Sequence, residues 1–166
     1  MWKALREGVV KVNWDAAFEK KNMMMGAGVI IRDAAGDVLV SLCLKKIHVN
    51  SSVVAETVTL WRALKLCSEL NIREAVFEGD ALEVVKAVNC ADENWEWNGQ
   101  VIADCRELLV HRPMWLVTHI YREANKVAHF LANFAYNVNE EVVWIEDEPE
   151  GHFSFILQDK IVLFNG

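Results

Sequence analysis

The sequence lacks any apolar run of the about 20 residues that a membrane-spanning helix needs, so we expect no contact with a membrane. Its first eight residues also lack the apolar stretch of a signal peptide. The four cysteines are widely spaced and form no Cys-x-x-Cys pair, which indicates reduced thiols rather than a zinc site. These absences together predict an intracellular protein, either nuclear or cytoplasmic.

Clustered basic residues are lacking as well. The chain has 17 Lys and Arg against 24 Asp and Glu, which gives a formal net charge of −7. This balance argues against a strong non-specific nucleic-acid binder, because neutralising phosphates requires clustered Lys and Arg. It leaves a nuclease possible, since carboxylates that hold metal ions make a chain acidic while the bound ions attract phosphate.

The pattern of apolar residues predicts a folded α/β domain. With 166 residues, of which 53% are hydrophobic, the chain suits one compact domain. Apolar and polar residues alternate along the first predicted strand, and later segments repeat with a helical period. The predicted elements are strands over 10–18, 23–33 and 38–46, a helix over 53–70, a strand over 74–79, a helix over 80–88, a loop over 90–98, a helix over 101–110, a strand over 115–121 and a helix over 124–136.

The order of these elements predicts a mixed five-stranded sheet flanked by helices. The first three strands have turn-sized links, which indicates an antiparallel meander. The later strand-helix-strand units add two further strands to the same sheet. We assign residues 1–137 to this domain and residues 138–166 to an acidic tail with short apolar segments, through which a protein partner could bind.

Two carboxylates occupy positions that have both an ordinary and a functional explanation. Asp15 shares its strand side with Lys11 and Asn13, which favours a solvent-facing residue, yet Asp is rare in strands and needs a reason to be there. Glu56, in the expected first helical turn, suits the positive helix end. However, Glu56 lies four residues before Leu60 and so extends the apolar stripe, and a carboxylate aimed at a sheet needs a positive partner.

A third carboxylate, Asp80, follows the fourth strand and precedes a helix, where it suits either a helix cap or a ligand-binding position. The three acids converge if the first and fourth strands are neighbours in the sheet. Three carboxylates at one point repel strongly unless cations are present. Their hard oxygen atoms suit Mg²⁺ or Mn²⁺.

Five sequence blocks carry a resemblance to a known family. They are Lys11-Val-Asn-Trp-Asp-Ala-Ala-Phe18, Gly28-Val-Ile-Ile-Arg-Asp33, Ala55-Glu56 with Ala63-Leu64, Glu78-Gly-Asp80 with Val84-Val85, and Arg122-Glu-Ala-Asn-Lys-Val-Ala-His-Phe-Leu-Ala132. In this order they resemble the ribonuclease H-like domain of plant proteins related to retrotransposon reverse transcriptases. The resemblance covers about residues 2–136.

The resemblance implies an endonuclease that hydrolyses the RNA strand of an RNA–DNA hybrid with two divalent ions, Mg²⁺ or Mn²⁺. By motif, the metal-binding and catalytic carboxylates fall on Asp15, Glu56 and Asp80. Arg122 and Asn125 lie in the last block, where they either orient the last helix or bind the nucleic-acid backbone.

One position departs from the family pattern. Where catalytically standard members carry a fourth acid in the last helix, this chain has His129, which is either a nitrogen ligand, a proton shuttle or a bystander. The departure motivates a second hypothesis, a domesticated domain with weak or no catalysis that binds nucleic acid or a protein. Trp95, Trp97 and the apolar tail segments would then form its contact surface.

Overall fold

A computed structural model describes residues 7–90 and 99–145 of the chain. The elements in these ranges are β1 (Val9–Glu19), β2 (Met24–Arg32), β3 (Val38–Lys46), α1 (Ser52–Glu69), β4 (Glu74–Gly79), α2 (Leu82–Asn89), α3 (Gly99–Val110), β5 (Trp115–His119), α4 (Lys126–Phe134) and β6 (Val142–Ile145). Single turns of 3-10 helix, Arg122–Ala124 and Ala135–Asn137, flank α4. Within the described ranges, no helix is both long and apolar enough to cross a membrane.

The strands form one mixed sheet in the order β5-β4-β1-β2-β3-β6. β1, β2 and β3 form the expected antiparallel meander, while β4 runs parallel to both β1 and β5. This confirms the predicted α/β class with helices packed on a mixed sheet. Because Asn13 of β1 pairs with Glu78 of β4, Asp15 and Asp80 lie at the same edge of the sheet.

The predicted number of strands is wrong, because the described part of the sheet has six rather than five. β6 pairs antiparallel with β3 from Val40–Ile145 to Cys43–Val142, and it lies inside the segment assigned to the tail. Two contacts besides the pairing with β3 hold it there. Glu141, just before β6, forms an ion pair with Arg62 of α1, and Trp144 of β6 packs against Phe134 at the end of α4. A four-residue strand held by such distant contacts leaves little periodic signal.

The division between domain and tail after residue 137 stays a prediction. The rest of the tail, residues 146–166, lies outside the described residues. So do residues 91–98, which include Trp95 and Trp97 and most of the expected loop.

Both faces of β1 are buried. Val12 and Trp14 belong to the main apolar core beneath α1 and α3, and neither side chain is exposed. On the other face α4 covers the sheet, and the exposed fractions are 8% for Lys11, 5% for Asn13 and 2% for Asp15. Of the two explanations for Asp15, the solvent-facing one is therefore wrong. The alternation of apolar and polar residues along β1 reflects two buried environments, an apolar core on one face and a polar interface with α4 on the other.

Two glycines of β2 allow α4 to lie unusually close to the sheet. A Cβ atom at Gly28 would collide with the carbonyl oxygen of Ala128, and one at Gly26 would collide with that of Ala132. The small Ala side chains on the helix complete this close contact, and Ala128 and Ala132 are fully buried. This packing brings residue 129 next to β1.

Candidate active site

A cleft of about 770 Å³ opens at the edge of the sheet where β1 and β4 lead toward α1 and α4. Its walls include Glu56 of α1, Asp80 after β4, and His129 of α4. Ala16 and Ala17 of β1 line the cleft, and Asp15, the residue before them, is buried behind this surface. The cleft therefore joins four segments that are distant in the sequence.

The structure brings the three predicted carboxylates together. One oxygen each from Asp15, Glu56 and Asp80 lie within 4.8 Å of one another, close enough for all three to contact one metal ion. Parallel pairing of β1 with β4 positions the two aspartates, and α1 supplies the glutamate from the face opposite α4. Their convergence was the central expectation from the sequence.

Two local details differ from expectation. α1 begins at Ser52 behind a Ser51 cap, so Glu56 lies beyond the first turn, where its side chain reaches the sheet rather than the helix end. The cap of α2 is Ala81, and no side-chain hydrogen bond caps this helix. The alternative of Asp80 as a helix cap is therefore wrong, and its carboxylate turns toward the cleft instead.

Glu56 and Asp80 sit in an environment that raises the pKa of each carboxyl group. Burial, followed by repulsion from Asp15 and Asp80, raises the pKa of Glu56 well above its ordinary value of 4.5. Burial and Asp15 likewise raise the pKa of Asp80, against the opposing effect of Arg122. A bound cation would offset this repulsion.

Glu56 gives the strongest sign that the cluster suits a cation. Its Oε1 accepts a hydrogen bond of 3.3 Å from the backbone N–H of Ala16. Its Oε2 is buried and has no hydrogen-bond partner among the described residues. A buried carboxylate oxygen without a hydrogen-bond donor lowers the stability of the fold. Hard divalent cations prefer oxygen ligands of this kind. The donor set therefore fits Mg²⁺ or Mn²⁺.

His129 lies beside Asp15. Its Nδ1 is 2.8 Å from Asp15 Oδ2, and its ring is about one-third exposed to the cleft. The other ring nitrogen, Nε2, is 3.3 Å from the side-chain nitrogen of Asn133, one turn further along α4. The imidazole is thus in the site, although its ring nitrogens face a carboxylate and an amide.

The remaining two predicted residues occupy different environments. Asn125 is 1% exposed; its amide donates to the carbonyl of Trp14 at 2.9 Å and accepts from Asn13 at 3.2 Å. These bonds fasten the start of α4 to β1, which favours the orienting role. Arg122 is 76% exposed at the cleft, with its Nε 3.6 Å from Asp80 Oδ2.

Several cleft residues were not singled out from the sequence. Phe18, Glu83, His119 and Tyr121 line the cleft, and the rings of His119 and Tyr121 meet edge to face at 5.7 Å. The sequence did give one indication for His119, because the predicted fifth strand, residues 115–121, includes it. Since β5 runs parallel to β4, its last residue ends at the same edge as Asp80.

Comparison with known proteins identifies the class to which this fold and cleft belong. The family described as "Reverse transcriptase-like" matches residues 13–135, a span that includes all three carboxylates and His129. The chain belongs to this family, and its fold is that of a ribonuclease H-like domain. No curated protein sequence matches the chain.

Solved structures share the fold at low sequence identity. Ribonuclease H1 from the halophilic archaeon Halobacterium salinarum is 24% identical, with a TM-score of 0.70 over 78% of this chain and 98% of that one. LC11 ribonuclease H1, isolated from compost and solved with an RNA/DNA hybrid, is 22% identical, with a TM-score of 0.68 over 77% and 96%. The foamy viral protease–reverse transcriptase with an RNA/DNA hybrid is 14% identical, with a TM-score of 0.65 over 83% of this chain and 21% of that one.

Proposed function

We propose that this protein is a metal-dependent endonuclease that hydrolyses the RNA strand of RNA–DNA hybrids by a two-metal-ion mechanism. The observation that carries the proposal is the cluster of Asp15, Glu56 and Asp80, whose oxygens lie within 4.8 Å and include one buried oxygen without a donor. Membership of the reverse transcriptase-like family supports it. The hybrids bound by the compost ribonuclease H1 and the foamy viral enzyme support the choice of substrate.

In this proposal the three carboxylates hold the divalent ions at the base of the cleft. A pair of such ions supplies water activation and stabilisation of the leaving oxygen in phosphodiester hydrolysis. Arg122, which is exposed at the rim, attracts the scissile phosphate; it is the only Lys or Arg among the described residues that line the cleft. The other charged groups there are mainly acidic and repel phosphate. Both the binding and the cleavage of the hybrid therefore depend on the cations.

The direct test is a cleavage assay on an RNA–DNA hybrid labelled on its RNA strand. Mg²⁺ and Mn²⁺ are supplied separately, and a chelated reaction measures the background. Matched RNA duplexes and DNA duplexes of the same sequence test whether both strand types are needed. The proposal expects shortened RNA from the hybrid but no cleavage of either duplex, and it expects this cleavage only when a divalent ion is present. Intact RNA with both ions, at enzyme in excess over substrate, contradicts it.

A matched pair of variants tests which acids carry the reaction. Asp80→Asn removes a charge from the cluster, whereas Glu83→Gln removes the same charge from another acid of the same cleft. We expect the first variant to lose cleavage by a factor on the order of 10³, as when a main transition-state stabiliser is removed. Glu83→Gln stays near the parent rate, and thermal unfolding shows both variants folded. Equal losses in the two variants would mean that overall charge, not the cluster, governs the rate.

A second candidate function is motivated by His129, which the family resemblance aligns with the fourth acid of catalytically standard members. In this alternative the domain binds nucleic acid or a protein with weak or no turnover. It expects a hybrid-binding signal without cleavage by the parent, and Mg²⁺-supported cleavage by His129→Asp. Robust cleavage by the parent excludes the alternative. If the parent cleaves weakly and His129→Asp cleaves faster, the ratio of the two rates measures how much the histidine reduces activity.

A further inference from the structure

The contacts around His129 favour one position of its ring proton over the other. The amide nitrogen of Asn133 donates to the backbone carbonyl of His129 at 2.9 Å, which fixes the orientation of this amide. The same nitrogen is 3.3 Å from His129 Nε2. Because an amide nitrogen only donates, Nε2 must accept. In this arrangement the proton of the ring lies on Nδ1, which donates to Asp15 Oδ2 at 2.8 Å.

We propose that His129 is a positioning residue, rather than a ligand, in the metal centre on which the proposed function rests. Its Nδ1–H holds Oδ2 of Asp15, and Asn133 engages Nε2, so both ring nitrogens have partners. In this proposal the imidazole holds Asp15 by Oδ2 and leaves Oδ1 as the oxygen that would contact an ion. A hydrogen bond of this kind, from a residue that does not touch the ion, fixes the geometry of a ligating carboxylate.

The close packing of α4 supports this assignment. His129 is one residue after Ala128, whose carbonyl oxygen lies against Gly28 of β2, so the helix backbone is fixed in height above the sheet. Asn125, at the start of the same helix, is bonded to the carbonyl of Trp14, the residue before Asp15. The start of α4, just before His129, is therefore fastened both to β1 and to β2.

Two substitutions at one position separate a positioning residue from a ligand. His129→Asn retains an N–H donor near the Nδ1 position but has no atom at Nε2, whereas His129→Ala has neither. Calorimetric titration with Mn²⁺ measures the affinity. A positioning role predicts that His129→Asn binds nearly as tightly as the parent, and that His129→Ala loses about tenfold in affinity. Equal losses in the two variants, with thermal unfolding showing both folded, overturn the proposal.

Nitrogen NMR of the histidine rings provides a readout that does not depend on turnover. In the ion-free protein we expect the His129 signals of the Nδ1-protonated tautomer. Asn133→Ala should shift this tautomer balance and weaken Mn²⁺ binding by less than His129→Ala does, since Asn133 acts through the ring. An Nε2-protonated ring in the parent contradicts the assignment.

Electron paramagnetic resonance of one equivalent of Mn²⁺ distinguishes failure of this inference from failure of the proposed function. We expect no coupling from a directly bound nitrogen. If Mn²⁺ binds and shows a nitrogen coupling that His129→Ala removes, the positioning role is overturned while the metal-dependent site survives. If neither Mn²⁺ nor Mg²⁺ binds the parent, the proposed function fails and this inference fails with it.

Discussion

Both faces of β1 are buried from Val10 to Asp15, but they differ in what they contact. Val12 and Trp14 on one face meet the apolar core beneath α1 and α3. Lys11, Asn13 and Asp15 on the other face meet polar partners, which are Glu78, Asn125 and His129 in that order. The comparison shows that polar residues alternating along a strand can indicate a second buried interface instead of a solvent-exposed face.

The two faces also contribute differently to the free energy of folding. Apolar burial contributes roughly 25 cal/mol per Å² removed from water. Buried polar pairs yield little net stability, because much of their attraction repays desolvation, yet an unpaired member is costly. The apolar face therefore stabilises the fold, while the polar face fixes where α4 and β1 lie relative to each other. Three kinds of substitution sharpen this difference, and they follow from the largest expected effect to the smallest.

Phe77→Ala tests the apolar face. Phe77 is fully buried in β4, pairs with Val12 across the sheet, and packs against Trp115 at 5.3 Å between ring centroids. Removing the ring leaves a cavity, so we expect a loss of about 3–5 kcal/mol in the free energy of unfolding, measured in urea. Cleavage per folded molecule should stay near the parent value. A loss below about 1 kcal/mol would show that this face is less tightly packed than the structure implies.

Gly28→Ala tests the close approach on the polar face. The added methyl group would collide with the carbonyl oxygen of Ala128, so α4 must move away from β2. We expect a destabilisation of about 1–3 kcal/mol, typical of overpacking. Because the same displacement separates His129 from Asp15, the affinity for Mn²⁺ should fall as well. Unchanged metal affinity in this variant would mean that the position of α4 does not control the geometry of the carboxylates.

Glu56→Gln tests the charge of the cluster through its pH dependence. In the folded protein the pKa of Glu56 is raised, so the parent loses stability as the pH rises from the unfolded pKa, near 4.5, through the higher folded value. The Gln variant lacks this loss. Without divalent ions we expect the two proteins to unfold alike at low pH, and the variant to be more stable at neutral pH by about 1 kcal/mol.

The parent and Glu56→Gln also show how stability depends on the divalent ion. Mg²⁺ should stabilise the parent more than the Gln variant, because ligand binding to the folded state raises its stability. Thermal unfolding at several pH values, with and without Mg²⁺, measures both effects. A parent that is more stable than Glu56→Gln at neutral pH without ions would contradict the raised pKa.

The sequence was sufficient for the fold class and for the convergence of the three acids. The alternation of β1, the meander and the strand-helix-strand order all left local patterns. Features created by distant contacts were less accessible: β6 depends on Arg62 and Phe134, and burial of Lys11 and Asn13 depends on where α4 packs. The cap at Ala81 in place of Asp80 was also hidden, because Asp is a good cap in most contexts.

The sequence indicated which residues come together in the cleft more completely than it indicated what each of them does there. The resemblance implied a fourth acidic position at His129, but only the neighbours of this residue indicate what its nitrogens contact. Asn133, four residues further along α4, had no signal of its own beyond that spacing. His119 required the parallel register of β4 and β5, in which Gly79 pairs with His119.

The most direct measurement of the central claim is the location of the bound ion, mapped by Mn²⁺-induced broadening of backbone amide signals. If the three carboxylates form the metal site, substoichiometric Mn²⁺ broadens Ala16 and Ala81 first, because these residues adjoin the ligands in β1 and before α2. Signals around Lys11, on the same face of β1 but about 13 Å along the strand, should broaden less, and Asp80→Asn should reduce the effect. Broadening centred on another part of the chain, or none at all, would contradict the account.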